Sequence, residues 1–256
     1  MRQIPNLFTL LNLVFGCIAI IFVLQTGEMI VTESDNGTFS PQLPEKIWWG
    51  SVFIGLAAIV DFLDGFVARL FRATSDMGKQ LDSLADVVSF GAAPGIILYQ
   101  LLRISFIQEE DGLDTSIWAL LPALLFPVAT AWRLARFNID NNADSDFRGV
   151  PCPAAGLFVA SLPLIIFYNY FNINIVLVNK WTLYAITIVL SGLMVSKARF
   201  MALKFGKDSA KSHLPKIILV IIAIIAAVFL QWLAVPVVFI VYLILSQLIT
   251  TNKKIN

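Results

Sequence analysis

The chain has 256 residues, 58% of them hydrophobic and only 14% charged, with a mean hydropathy of +0.82. A soluble globular protein of this size is excluded, because so little polar side chain could not cover its surface. A formal net charge of +1 carries no sign of a nucleic-acid partner, and neither the single His213 nor the widely separated Cys17 and Cys152 offers the spacing of a histidine- or thiol-based site.

The first apolar run, residues 7–24, is too long for the core of a secretory signal and lacks a small-residue cleavage site after it. It reads as a retained helix over residues 6–24, followed by a polar, acidic loop over 25–45. Further helices are predicted over 47–71, 79–102 and 117–137, the last two separated by an acidic loop with Glu109, Glu110, Asp111 and Asp114. A polar loop closes on Pro151 and Pro153, and helices over 154–170 and 181–196 follow. A basic segment spans 197–216. The last apolar stretch, 217–248, exceeds one ordinary span; Pro236 and the Gln231–Trp232 pair divide it into two helices.

The expectation is therefore an all-α, polytopic membrane bundle of about eight transmembrane helices. It forms one domain over 1–256, with a catalytic core over about 1–200 and an additional helix pair over about 216–250. With the N-terminus inside and each helix crossing once, all of the 18 Lys and Arg fall inside except Lys46, Arg103 and Lys180. That bias predicts an N-in, C-in arrangement. The basic segment then faces anionic headgroups at the inner surface.

Two pairs of carboxylates stand out against this apolar background. Asp61 and Asp64 end a largely apolar helix, and Asp82 and Asp86 lie near the start of the next. Ionised groups in a membrane segment cost several kcal/mol unless they are paired, hydrated or bound to a cation. At about 100° per residue, an i, i+3 pair and an i, i+4 pair each share one helix face. Gly65 and Ala68 lie on the face of the first pair and leave open volume beside it. With only the short segment 72–77 between them, the two helices are expected to be antiparallel neighbours whose carboxylates converge. Four such groups would repel one another without cations. Hard oxygen ligands suit Mg²⁺, Mn²⁺ or Ca²⁺, and two pairs suit two metal ions of the kind that assist phosphoryl chemistry. Arg69 and Arg72, one turn beyond, could neutralise a pyrophosphate. A helix end paired to Arg and Lys, or an acidic path for transported cations, would use the same residue types.

The run Asp61-x2-Asp64-Gly65-x2-Ala68-Arg69-x8-Gly78-x3-Asp82-x3-Asp86 resembles the signature of the CDP-alcohol phosphatidyltransferase family at every fixed position. The early Pro5-Asn6-Leu-Phe-Thr9 is similar to another element of that family. The runs 81–94, 133–138 and 147–153 resemble its serine-using branch, which typically has about eight helices. The resemblance covers about the first 155 residues and implies the following roles. Asp61 and Asp82 would bridge two metal ions, Asp64 would bind the first, and Asp86 would bind the second and act as general base. CDP-diacylglycerol would be held by Asn6, Thr9, Gly65, Ala68, Arg69, Ser75 and Gly78. The implied reaction transfers the phosphatidyl group to L-serine, releasing CMP, in a homodimer; the Lys and Arg bias puts the site at the cytoplasmic face, and the compact chain suggests a bacterial plasma membrane. For serine itself, Arg133, Arg136 and Asn138 are the candidates, the two arginines because a guanidinium suits a carboxylate; either arginine could equally anchor a helix end. Glycerol phosphate or inositol phosphate as acceptor, or cation transport, remain the competing readings.

Overall fold

A computed structural model describes residues 4–25, 31–33, 39–41, 46–70, 75–107, 115–139, 147–201 and 210–255. Helix dominates these residues. Helix α1 spans Ile4–Leu24 and α2 spans Ile47–Leu70. A continuous rod, Asp76–Ile107, then joins α3 (Asp76–Asp86), a π-helical turn (Val87–Ala92) and α4 (Ala93–Ile107). Next come α5 (Ile117–Leu120), a 3₁₀ turn (Leu121–Leu124) and α6 (Leu125–Ile139). Helices α7 (Cys152–Tyr168), α8 (Asn174–Leu177) and α9 (Lys180–Val195) precede the pair α10 (Ala210–Leu230) and α11 (Ala234–Ile255).

Five of the helical stretches are long and apolar enough to cross a membrane. They are Asn6–Leu24, Ile47–Val67, Asp76–Ile107, Ile117–Ile139 and Pro215–Leu248, with Cys152–Tyr168 and Lys180–Val195 as shorter apolar helices. The chain is an all-α membrane protein. Its final stretch is divided where expected: Gln231 adopts φ +50° at the head of a 3₁₀ turn, Gln231–Leu233, and α10 packs back on α11. The loop expected over 25–45 contains two short strands, β1 (Val31–Glu33) and β2 (Phe39–Pro41), paired antiparallel with Thr32 opposite Ser40. A second pair, β3 (Phe147–Arg148) and β4 (Arg199–Phe200), ties the segment before α7 to the one after α9.

Local chemistry sets the helix ends. Ser75 caps α3, its Oγ accepting from the Gly78 amide at 3.0 Å, and Asp76 in the first turn suits the positive end of the helix. Pro151 and Pro153 start α7, where missing amide hydrogens cost nothing. Asn169, left-handed at φ +41°, ends that helix.

The rod is the centre of the bundle. Phe90, Ile97, Leu98, Leu101 and Leu102 are fully buried, packed against α1, α6, α7 and α9. Small residues permit this closeness, as they do between membrane helices generally. A β-carbon on Gly16 of α1 would lie 2.9 Å from the Ser89 Cα, and one on Gly156 of α7 would lie 3.1 Å from the Phe90 Cα.

Candidate metal centre

Asp61 and Asp64 lie near the C-terminal end of α2, one turn apart on one face. Asp82 and Asp86 hold the corresponding positions on α3. Helix α1 lies against both, and they approach each other at the carboxylates. Carboxylate oxygens of Asp61, Asp82 and Asp86 all lie within 4.8 Å of one another. Asp64 sits beside this trio, near enough for its charge to act on Asp61 and Asp82, and its side chain accepts a hydrogen bond from the Thr9 hydroxyl.

The donor set fits a hard divalent cation. It is entirely oxygen, it is confined, and Asp64 and Asp86 are each only 7% exposed. Arg133 is the described cation whose charge acts on the cluster, at Asp86. Negative charges gathered this closely in an apolar setting require a cation or protons.

Helix α1 contributes more to the centre than the sequence motif indicates. Asn12 is fully buried, and its amide Nδ2 donates to Asp86 Oδ1 at 3.3 Å. Its backbone carbonyl accepts from the Ser89 hydroxyl at 3.0 Å. Ser89 belongs to the π-helical turn directly after Asp86, a distortion common at functional sites. Sequence reasoning passed over Asn12 and Ser89; a lone Asn within an apolar run was the available signal for the first.

Other expected site residues divide into groups. Asn6, Ser75 and Gly78 converge at the N-terminus of α3, where a β-carbon on Gly78 would lie 3.1 Å from both Asn6 Oδ1 and Ser75 Oγ. Gly65 follows Asp64 on α2. The side chains of Ala68 and Arg69, and all of Arg72, lie outside the described residues. Arg133 of α6 is 6% exposed, donates from Nη1 to Cys152 Sγ at 3.5 Å, and lies near enough to Asp86 for their charges to interact. Its Nε is buried without a partner. Arg136, one turn on, is committed elsewhere: Nη1 and Nη2 donate to the carbonyls of Val195 and Ser196 at 3.0 and 3.1 Å, capping α9. Asn138 donates to Ser83 Oγ at 2.8 Å and holds the end of α6 against α3.

A helical membrane bundle with this acidic centre is matched by the family model for CDP-alcohol phosphatidyltransferase over residues 2–181. The chain belongs to that family. Its curated relatives narrow the comparison further. The chain is 32% identical over 214 residues to the CDP-diacylglycerol–serine O-phosphatidyltransferase of Bacillus subtilis, covering 83% of this chain and 96% of the relative. It is 34% identical over 210 residues to the Helicobacter pylori protein of the same name, covering 81% and 75%. The archaetidylserine synthase of Methanothermobacter thermautotrophicus is 34% identical over 116 residues, covering 44% of this chain and 46% of the relative.

Proposed function

We propose that this chain transfers the phosphatidyl group of CDP-diacylglycerol to the hydroxyl of L-serine, giving phosphatidylserine and CMP. The observation that carries the reading is the confined trio Asp61, Asp82 and Asp86 within a family-matched bundle, with relatives over most of the chain named for serine transfer. Residues Asp61, Asp64, Asp82 and Asp86 would hold two Mg²⁺ or Mn²⁺ ions (Ca²⁺ is a third option). Such a centre would supply positive charge to neutralise the donor diphosphate and the departing phosphate.

The chain's own residues do the rest. Asn6, Thr9, Gly65, Ala68, Arg69, Ser75 and Gly78 receive the nucleotide and diphosphate, with the acyl chains in lipid. Asp86 takes the proton of the serine hydroxyl on its carboxylate. The serine oxygen bonds to the β-phosphorus, the bond to the bridging oxygen breaks, and its electron pair leaves with CMP. Arg133 is the favoured anchor for the serine carboxylate, because its guanidinium is buried with Nε unsatisfied while both terminal nitrogens of Arg136 are engaged at α9. Asn138 is a lesser candidate at the α3–α6 contact.

The same reading sets eight spans, both termini inside, the site at the cytoplasmic face of a bacterial inner membrane, one domain with a C-terminal helix pair over about 216–250, and a homodimer. The deciding experiment uses purified protein, CDP-diacylglycerol, Mg²⁺ or Mn²⁺, and a panel of serine, glycerol phosphate and inositol phosphate. Serine-dependent CMP release, abolished by EDTA and restored by metal, is the expected result. CMP release with a phosphorylated acceptor alone, or ion flux without CMP, would overturn it.

A further inference from the structure

Asn12 is a fully buried amide whose two ends are treated differently. The nitrogen donates to Asp86 Oδ1 at 3.3 Å, whereas the oxygen, Oδ1, is buried with no partner. A buried acceptor left unsatisfied costs stability unless something else supplies a donor. The helix backbone that carries the residue is held in place. Its backbone carbonyl is held by Ser89 Oγ at 3.0 Å, and one turn along α1 the Gly16–Ser89 contact is too close to admit a β-carbon.

We propose that Asn12 selects the acceptor by its amino group: Oδ1 accepts a hydrogen bond from the ammonium of an amino alcohol, while Nδ2 orients Asp86. This deepens the serine-transfer reading and rests on it. The two ends of one amide are about 2.3 Å apart by covalent geometry, so Oδ1 is a close neighbour of the contact that Nδ2 makes with Asp86. In serine the hydroxyl and the ammonium are on adjacent carbons. A serine whose hydroxyl gives its proton to Asp86 would present its ammonium on the neighbouring carbon, to be received by Oδ1. An N⁺–H donor to a desolvated amide oxygen is a charge-assisted bond, stronger than a neutral one. The carboxylate of the same molecule is left for Arg133 on α6. Asn12, Asp86 and Arg133, from three different helices, would then read amine, hydroxyl and acid.

The test is a comparison of two acceptors, L-serine and 3-hydroxypropanoate, which keeps the hydroxyl and the carboxylate but lacks the amine. Wild-type protein and the variants N12A and N12D are assayed for kcat and KM with each. CDP-diacylglycerol-dependent thermal stabilisation serves as the control that fold and donor site are intact. In N12A, loss of the Asp86 contact lowers kcat for both acceptors. Loss of the amine contact further lowers kcat/KM for serine alone, so that the wild-type preference for serine falls by about tenfold or more. N12D keeps an oxygen acceptor and retains the preference despite a lower kcat. An equal loss with both acceptors in N12A would overturn the assignment and leave Asn12 as a support for Asp86 only. If N12A does not accumulate, N12D decides alone, and collapse of the preference there counts against the proposal. Absence of serine turnover in the wild type is a distinct result, which would remove the serine reading itself.

Discussion

The central rod and the C-terminal pair are both long apolar stretches, yet they occupy opposite environments. Within the best span of Asp76–Ile107, 67% of residues are buried inside the protein, against 17% for Pro215–Leu248. The more polar stretch is the more deeply buried. It carries Asp86, Ser89, Gln100 and Ser105 inside, whereas α10 presents Ile221, Ile224, Ile225, Val228 and Phe229 outward. In a bilayer the apolar solvent inverts the usual rule: exposed faces are the most hydrophobic, and polar groups withdraw into the bundle where other helices satisfy them. Gln100 shows this, its side-chain amide donating to the Val23 carbonyl of α1 at 3.2 Å.

The largest effect that would break this contrast is at the rod's charged end. Asp82→Asn should lower serine-dependent CMP release by more than about 10²-fold, since the proposed metal centre loses one carboxylate oxygen and its charge. The folded protein should persist in detergent, because removing one of several crowded like charges relieves repulsion. Turnover above a tenth of wild type would sink the two-metal reading. The measurement is CMP release beside a thermal unfolding curve.

How the rod is packed gives the next effect. Gly16→Ala introduces a β-carbon 2.4 Å from Ser89 Oγ and 2.9 Å from Ser89 Cα. The hydroxyl could rotate, but the backbone of the π-helical turn cannot, so α1 must shift. A cost of about 1–3 kcal/mol is expected. Because the same contact sets Asn12 against Asp86, kcat should fall as well. A stable and fully active G16A protein would show that α1 is free to slide over the rod.

Much of this was legible in sequence, and the reason is periodic spacing. Asp61, Asp64, Asp82 and Asp86 could be placed on two helix faces because helical geometry is fixed, and Pro236 with Gln231–Trp232 marked the final turn because proline and polar groups interrupt an apolar run. Contacts between helices distant in sequence were not legible. Arg133 and Arg136 share a face by spacing, yet one is buried beside Cys152 while the other caps α9, and only the packing of α6 against α7 and α9 separates them. That α1 lies along both α2 and α3 was not legible either, since nothing local announces it. Residues 87–92 read as ordinary helix, because a π-helical turn has no residue signature of its own; the tight approach of Gly16 and Gly156 to that turn accompanies it.

The smallest effect is expected at the opposite pole, and it tests the inverted rule most directly. Ile224 on α10 is 61% exposed, facing the region that lipid would fill. In a soluble protein, trimming a core-sized Ile at a packed site costs about 2–5 kcal/mol through transfer and cavity terms together. Neither applies here: the side chain leaves one apolar medium for another, and lipid fills the space that it vacates. Ile224→Ala should therefore change stability by no more than about 0.5 kcal/mol and leave CMP release unaltered. The buried counterpart is Ile97→Ala on α4, fully buried in the rod, which should show the full cavity cost of about 2–5 kcal/mol. Thermal unfolding of the two variants in the same detergent makes the comparison internal. If Ile224→Ala proved as destabilising as Ile97→Ala, the outward face of α10 would be packed against protein rather than lipid, and a second copy of the chain would be the natural occupant of that face.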